Sequence, residues 1–247
     1  MSGVPGQRGC RDSTTDFGDN DEISLVRQAL WHHPSGMASL GPNAAGAYET
    51  VVVCDEGAHV LRVVRVGLGP VPKPTETETV CGAPGLAGHF DGVNVDARLH
   101  CPCGVCARPG TTTVFVCDAG THVISEFDTA TRALVTRAGA PKVAGCVEGS
   151  GAAARFNRPR DLCLVGDVLV VADEGNRAVR AICTAGWDVA TLVGGAGAPK
   201  GNERADGPAA EAVIVRPTAV CPGGADHEVV LCDGHAVRAV SWAAPAR

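Results

Sequence analysis

The chain has 247 residues, of which 45% are hydrophobic and only 4% aromatic, and its formal net charge at pH 7 is −6. The length fits one large domain, or a repeat array with a substantial core. The negative charge argues against a broad phosphate-neutralising surface, and the few aromatic rings leave little surface for stacking on bases or sugars.

The first 22 residues are polar and rich in glycine and aspartate, and no apolar run in the chain is long enough to span a membrane. This segment has neither the apolar core of a secretory signal nor the acid-poor, Arg-rich composition of a transit peptide. Residues 1–22 are therefore predicted to be a disordered tail. Without an export signal, the 12 cysteines are expected to be reduced thiols in a cytoplasmic protein.

Four prolines mark an internal repeat, with separations of 68, 57 and 58 residues: Pro34, Pro102, Pro159 and Pro217. Three residues before each proline stands a large apolar residue: Trp31, Leu99, Phe156 and Ile214. Eleven residues before the last three stands an acidic residue followed by glycine: Asp91, Glu148 and Asp206. A fixed period of this size indicates a propeller or a solenoid.

Each copy then has an apolar run that ends in an aspartate closely followed by glycine. The four aspartates are Asp55, Asp118, Asp173 and Asp233. Runs of this kind are typical of strands buried on both faces. Asp followed by Gly favours a tight hairpin turn in which the aspartate bonds its own backbone.

A fourth strand closes three of the copies with Thr-x-x-Gly, at Thr79/Gly82, Thr136/Gly139 and Thr191/Gly194. Each unit is therefore four short strands in meander order. Since one such sheet has two faces to cover, neighbouring units are expected to stack face to face.

Copy three carries the most specific motif, from Glu148-Gly149 through Phe156, Pro159 and Val-Ala-Asp at 171–173 to Thr191 and Gly194. It resembles the NHL repeat, and the likeness covers about residues 23–242. The resemblance implies an all-β, β-propeller fold with blades at about 23–82, 83–139, 140–197 and 198–247. NHL propellers usually have five or six blades, so a six-bladed relative is the expected comparison. This chain counts four, which leaves an unusual ring, an open arc or part of a longer architecture.

Blade four has no residues for its outermost strand. We expect Ile23-Ser24-Leu25-Val26, which resembles residues 189–193 of copy three, to supply it beside residues 235–242. An incomplete propeller is the alternative.

Six cysteines fall in two columns where other copies have alanine: Cys54, Cys117 and Cys232 with Ala172, and Cys106, Cys163 and Cys221 with Ala38. This interchange predicts small buried side chains. The weak candidates for a metal site are His100, Cys101, Cys103 and Cys106, because Cys103 and Cys106 have Cys-x-x-Cys spacing. A reactive thiol at Cys101 or Cys103 is a further alternative. No cofactor is predicted.

By resemblance to propeller enzymes, a site would lie on the propeller axis just after the blade prolines. The positions there are Ser35, Cys103, Arg160, Asp161 and Thr218. They lack the metal-ligating histidines of the related lyase, and one carboxylate is too few for a divalent ion.

Two further columns concern charge. Arg62, Arg180 and Arg238 recur with Ser125 as the exception, and a basic stripe for RNA is one interpretation. His59 and His122 share a column with Arg177 and are expected to be solvated.

The favoured function is a non-enzymatic scaffold whose loops bind another protein. The alternatives are a propeller hydrolase or lyase and, third, an RNA-binding protein, although the acidity makes nucleic acid an unfavoured partner.

Overall fold

The computed structural model describes residues 29–68, 73–198 and 205–243. These residues form 17 β-strands and four 3₁₀ turns, and no α-helix occurs among them. The prediction of an all-β fold with four propeller blades is confirmed. The predicted tail, residues 1–22, and the predicted strand at residues 23–26 lie outside the described part of the chain. Nothing in residues 29–68, 73–198 and 205–243 forms a helix with the length and apolarity needed to cross a membrane.

Four sheets, called blades below, follow one another along the chain. Blade one has the order β1-β2-β3-β4: β1 (Pro34–Pro42), β2 (Tyr48–Asp55), β3 (Val60–Gly67) and β4 (Lys73–Cys81). Blade two has the order β5-β9-β8-β7-β6: β5 (Gly92–Val93), β6 (Pro102–Ala107), β7 (Thr113–Asp118), β8 (Val123–Asp128) and β9 (Ala133–Ala138).

Blade three has the order β10-β14-β13-β12-β11: β10 (Gly149–Ser150), β11 (Pro159–Val165), β12 (Val168–Asp173), β13 (Ala178–Cys183) and β14 (Asp188–Gly194). Within the described residues, blade four has three strands in the order β15-β16-β17: β15 (Pro217–Pro222), β16 (Glu228–Asp233) and β17 (Ala236–Ser241). The 3₁₀ turns are Glu56–Ala58, Asn94–Asp96, Gly151–Ala153 and Glu174–Asn176. The expected likeness to six-bladed propellers is wrong in blade number, because the described residues form four sheets.

The chain divides into two compact units. One comprises residues up to Phe115 together with Glu126–Val135 and contains blade one, β5 and β6. The other comprises Val116–Ser125 and the chain from Thr136 onward and contains blades three and four.

The apolar runs form strands that are buried on both faces. Leu169, Val170 and Val171 are consecutive on β12, and all three are fully buried. Successive side chains on a strand point to opposite faces, so both faces of blade three are covered. One face packs against blade four in a core that joins Val170 and Val179 to Ile214 and Leu231.

The hairpin after each apolar run differs in part from the prediction. The strands pair antiparallel in blades one, three and four, as expected. The tight turn is wrong in blades one and three, where a 3₁₀ turn follows the aspartate and a left-handed residue, His59 or Arg177, ends it. Blade four has a shorter turn, with Gly234 at a φ of 62° directly after Asp233.

The glycine of Thr-x-x-Gly has a steric reason in blade three. Gly194 ends β14 with a φ of 82°. A Cβ at this position would lie 2.1 Å from the carbonyl oxygen of Arg177. The left-handed backbone and the close approach of the hairpin loop both require glycine here.

The packing role predicted for the cysteine columns holds for Cys54, Cys117 and Cys163, which are buried. Cys106 and Ala38 are only half-buried, and the prediction is wrong in blade four, where Cys221 and Cys232 are exposed. Cys232 pairs directly with Val237, so the two side chains share one face of the sheet. The residues that alternate with them, Val229 and Leu231, pack on blade three. The exposed cysteines therefore lie on the face turned away from blade three, which the described residues leave uncovered.

Candidate functional site

The aspartates that end the second strands of blades one, three and four are fully buried and bond the segment before the blade proline. In blade three, Oδ1 of Asp173 accepts a hydrogen bond from the N–H of Asn157 at 2.8 Å. The equivalent bonds run from His32 to Asp55 at 2.8 Å and from Val215 to Asp233 at 2.9 Å. The prediction that each aspartate bonds its own turn is therefore incomplete, because the carboxylate holds the entry to the blade.

In each of these blades an arginine on the strand after the aspartate, β3, β13 or β17, forms an ion pair with that aspartate. Arg180 Nη1 lies 3.3 Å from Oδ2 of Asp173, and both side chains are fully buried. Arg180 also donates to the carbonyl oxygen of Arg155 at 3.2 Å, and its guanidinium lies 5.4 Å from the centre of the Phe156 ring. Burial raises the pKa of Asp173 to about 6, while hydrogen bonds from Asn157, Asn176 and Arg180 act in the opposite direction.

The same contacts recur in blades one and four. Arg62 lies over the Trp31 ring at 4.3 Å and pairs with Asp55 at 3.5 Å. Arg238 pairs with Asp233 at 2.9 Å. The interpretation of this arginine column as a basic stripe for RNA is wrong, because these guanidinium groups are committed inside the blades.

Two of the positions proposed for the propeller axis, Ser35 and Cys103, join β1 to β6. The Ser35 hydroxyl donates to the carbonyl oxygen of Cys103 at 3.1 Å, and the Cys103 side chain is buried. The strands approach so closely that a Cβ on Gly36 would lie 2.2 Å from the same oxygen. This contact gives both residues a structural role.

The other axis positions, Arg160, Asp161 and Thr218, begin β11 and β15. Oδ2 of Asp161 accepts a hydrogen bond from the N–H of Val220 at 2.9 Å, so the carboxylate joins blade three to blade four. Burial raises the pKa of Asp161. The Thr218 hydroxyl donates to the carbonyl oxygen of Cys232 within its own blade, at 3.5 Å. Arg160 is half-buried beside Asp161.

The candidates for a metal site are spread along β6 and the loop before it. The N–H of Cys101 donates to Nδ1 of His59 at 3.2 Å, and the His100 ring meets the His59 ring edge-on at 5.4 Å. Cys103 and Cys106 are three residues apart on β6 and point to opposite faces. Across the described ranges, no three His, Cys, Asp or Glu side chains converge as metal ligands.

The histidine column was expected to be solvated, and this is wrong. His59 and His122 are half-buried, and each Nδ1 accepts a backbone N–H from the residue just before the next blade proline, Cys101 at 3.2 Å and Arg158 at 3.0 Å. Both donor residues have a positive φ, 57° and 54°. Burial, followed by the charge of His100, lowers the pKa of His59.

An apolar loop at residues 86–95, which includes the two-residue strand β5 and precedes β6, was missed from the sequence. Leu86, Phe90, Val93 and Val95 are each more than half exposed. Val143 and Val147 stand at the same distances before Pro159 as Leu86 and Phe90 do before Pro102, and they too are exposed. This second column of apolar residues, outside the strands, was the signal that could have identified the loop.

Comparison with known proteins extends these observations. NHL repeat-containing protein 2 of Homo sapiens is 31% identical over 164 residues, and that of Bos taurus is 28% identical over 168 residues, in each case 66% of this chain. The chain spans about 22% of the length of both relatives. No protein-family model matches the chain.

Among solved structures, an auxiliary nutrient binding protein of Bacteroides ovatus ATCC 8483 aligns with a TM-score of 0.57 and 15% identity, covering 97% of this chain and 58% of that one. The auxiliary nutrient binding protein of Bacteroides thetaiotaomicron VPI-5482 aligns with a TM-score of 0.57 and 14% identity, covering 89% of this chain and 53% of that one. At these identities the likeness shows the fold alone.

The repeated sheets, three of them tied by a buried aspartate to the segment before the blade proline, define a β-propeller with four blades in the described part of the chain. The motifs of these blades and the relatives named above identify the family. The chain is an NHL-repeat β-propeller.

Proposed function

We propose that this chain is a non-enzymatic scaffold of the cytoplasm that binds another protein through the loops that connect its blades. The observation that carries the proposal is the apolar loop at residues 86–95, which presents four large apolar side chains to solvent within ten residues. Clustered apolar side chains on a surface mark sites of protein contact. Loops held by rigid sheets suit recognition because they are presented in a fixed arrangement.

The backbone of this loop is held in place, which favours a preformed binding surface. Phe90 and Arg98 form an antiparallel bridge, and the N–H of Gly88 donates to the carbonyl oxygen of Leu99 at 3.0 Å. A rigid loop loses little conformational entropy on binding. The cysteine columns support the cytoplasmic location. Ala172 stands in the column of Cys54, Cys117 and Cys232, and a position that accepts alanine in one blade does not need a disulfide partner.

Affinity capture with quantitative mass spectrometry tests the proposal. The full chain and the variant Leu86→Ser/Phe90→Ser/Val95→Ser are used as baits in parallel. The control is Val135→Ser, which changes an exposed valine on β9. At least one protein should be captured by the wild type and the control and fall about tenfold with the triple variant. Identical capture by all three baits would contradict a role for this loop.

A further inference from the structure

Blade four ends on a strand edge that has no partner among the described residues. In blades one to three the third strand, β3, β8 or β13, has a fourth strand on its outer side. In blade four the third strand is β17, which is the edge of the sheet. Backbone N–H and C=O groups along such an edge can pair with another extended chain.

A cavity of about 430 Å³ lies beside this edge, within blades three and four. Its apolar lining includes Leu192, Val193, Ala212, Ile214 and Val240, and Asp206 and Arg238 are its charged residues. Leu192 and Val193 belong to β14 of blade three, and Val240 lies on β17 itself. The cavity therefore offers apolar surface beside the edge where a strand would add.

Blade three shows what holds the corresponding strand. Glu148 Oε1 accepts the backbone N–H of Thr191 on β14 at 2.8 Å. The carboxylate also accepts the Thr191 hydroxyl, and together these bonds keep the pKa of Glu148 below its usual value. A carboxylate from the preceding loop thus grips one hydroxyl residue of the outer strand by its N–H and its side chain.

Asp206 is the equivalent carboxylate in blade four. Like Glu148, it stands eleven residues before the blade proline and is followed by a glycine with a positive φ, 137° at Gly149 and 151° at Gly207. The neighbouring arginine makes the same backbone contact in both blades, from Arg180 to Val147 O at 3.0 Å and from Arg238 to Ala205 O at 2.7 Å. The Asp206 side chain is 90% exposed and lies 2.7 Å from Arg238.

The strand register defines what should lie opposite β17. In blade three Arg180 pairs with Thr191 and Val179 with Val193. Blade one repeats this register, with Arg62 opposite Thr79. A segment added to β17 in the same way would place a serine or threonine opposite Arg238, within reach of Asp206.

We propose that the β17 edge binds an extended segment of a partner protein as an antiparallel fourth strand. The segment carries a serine or threonine opposite Arg238, then two apolar residues and a glycine, as Leu192, Val193 and Gly194 follow Thr191 in β14, and Asp206 accepts its N–H and hydroxyl. Strand addition gives affinity through backbone hydrogen bonds and selectivity through the side-chain positions. This inference rests on the proposed scaffold function and specifies a second surface for it.

The test is fluorescence anisotropy with the full chain and a labelled peptide that copies β14, Asp-Val-Ala-Thr-Leu-Val-Gly. Binding should be saturable, and replacing the peptide threonine by valine should weaken it about tenfold, as expected for one hydrogen bond to a charged group. Asp206→Ala should weaken binding of the threonine peptide to a similar extent. Asp226→Ala, at another exposed aspartate of blade four, is the matched control and should leave binding unchanged.

Three outcomes would overturn the proposal: no saturable binding, equal affinity for the two peptides, or no effect of Asp206→Ala. Binding seen only when Ser24→Pro is introduced would identify the chain's own residues 23–26 as the occupant, and would also overturn it. The capture experiment on the apolar loop at residues 86–95 is read independently. Capture that persists when the peptide fails to bind rejects the strand-addition site and leaves the scaffold function standing.

Discussion

Asp173 and Arg180 form a fully buried ion pair, 3.3 Å apart, that holds the entry segment of blade three against its second and third strands. The pair reaches Asn157 through the carboxylate and Arg155 through the guanidinium. Two consecutive strands thereby fix residues 155–157, which lie just before Pro159. The contact recurs in blades one and four, whereas blade two has Ser125 at the position of the arginine.

Replacing Arg180 by methionine should destabilise the protein by about 3 kcal/mol at pH 7.5, because the variant leaves a buried carboxylate without its cation. Loss of the guanidinium raises the pKa of Asp173 further. A carboxyl whose folded pKa is raised contributes stability that is fully present below the unfolded pKa. This contribution is lost as pH rises through the folded pKa. The deficit of Arg180→Met should therefore be smaller at pH 5 than at pH 7.5.

Urea titration at both pH values measures this difference. The matched control is Arg177→Met, at an exposed arginine three residues earlier, which should change the free energy of unfolding by less than about 0.5 kcal/mol. A deficit for Arg180→Met that is equal at pH 5 and pH 7.5 would show that Asp173 does not titrate against this arginine.

Phe156→Ala should destabilise the protein by about 3–5 kcal/mol, the range for removing a core phenylalanine. Phe156 is fully buried and its ring faces Arg180, so the variant loses both packing and the cation–π contact. Phe90→Ala, at an exposed phenylalanine, is the control and should cost little. Denaturant unfolding measures both, and a loss below about 1 kcal/mol for Phe156→Ala would contradict the role of this column in the core.

Much of this fold could be predicted from the sequence because the repeat places the same residue types at the same distances from each proline. Phe156 and Leu99 share the large apolar column three residues before the blade proline, and both are fully buried. The Asp173–Arg180 pair was not predicted, although both columns were recognised, because a one-dimensional pattern does not show that they face each other across two strands. The exposure of Cys221 and Cys232 could not be predicted either, since Cys163 and Cys117 at the same column positions are buried. What distinguishes the blade-four cysteines is a face of the sheet that the described residues leave uncovered.

The axis positions show the same limit. Ser35 directly follows Pro34, and Asp161 is two residues after Pro159. The resemblance to propeller enzymes predicted a site at these positions. The structure uses their polar atoms for strand-to-strand bonds, to Cys103 and Val220 respectively. Such bonds depend on the stacking of one blade on the next, which local spacing does not encode.

The contribution of His59 to stability should fall on mild acidification. Its Nδ1 accepts the N–H of Cys101 and can do so only when the imidazole nitrogen is unprotonated, and its pKa is lowered by burial and by His100. For a histidine whose folded pKa is depressed, stability is present above the unfolded pKa of about 6.5 and is lost as pH falls from there through the folded pKa.

His59→Asn tests this because asparagine tolerates the left-handed backbone but has no imidazole to protonate. The stability advantage of the wild type over this variant should be about 1 kcal/mol at pH 7.5 and should shrink at pH 5. Arg177→Asn, at the equivalent left-handed position of blade three, is the control, and its difference from the wild type should not change over this interval. An unchanged advantage of the wild type over His59→Asn would contradict the proposed protonation.

The cysteines should separate into two groups by their reactivity in the native protein. Cys183, Cys221 and Cys232 are exposed, whereas Cys163 is buried, and burial together with the nearby Asp161 raises its pKa to about 12. Because the thiolate is the reactive species, a small disulfide reagent at pH 8 should label the three exposed cysteines first. Cys163 should be labelled only at the rate at which blades three and four open.

All twelve cysteines should react as free thiols after denaturation without reductant. Peptide mapping by mass spectrometry reads both results, with Cys183→Ser as the check on assignment. Early labelling of Cys163, or two or more disulfides in the unreduced chain, would contradict the packing of β11 or the proposed reducing compartment respectively.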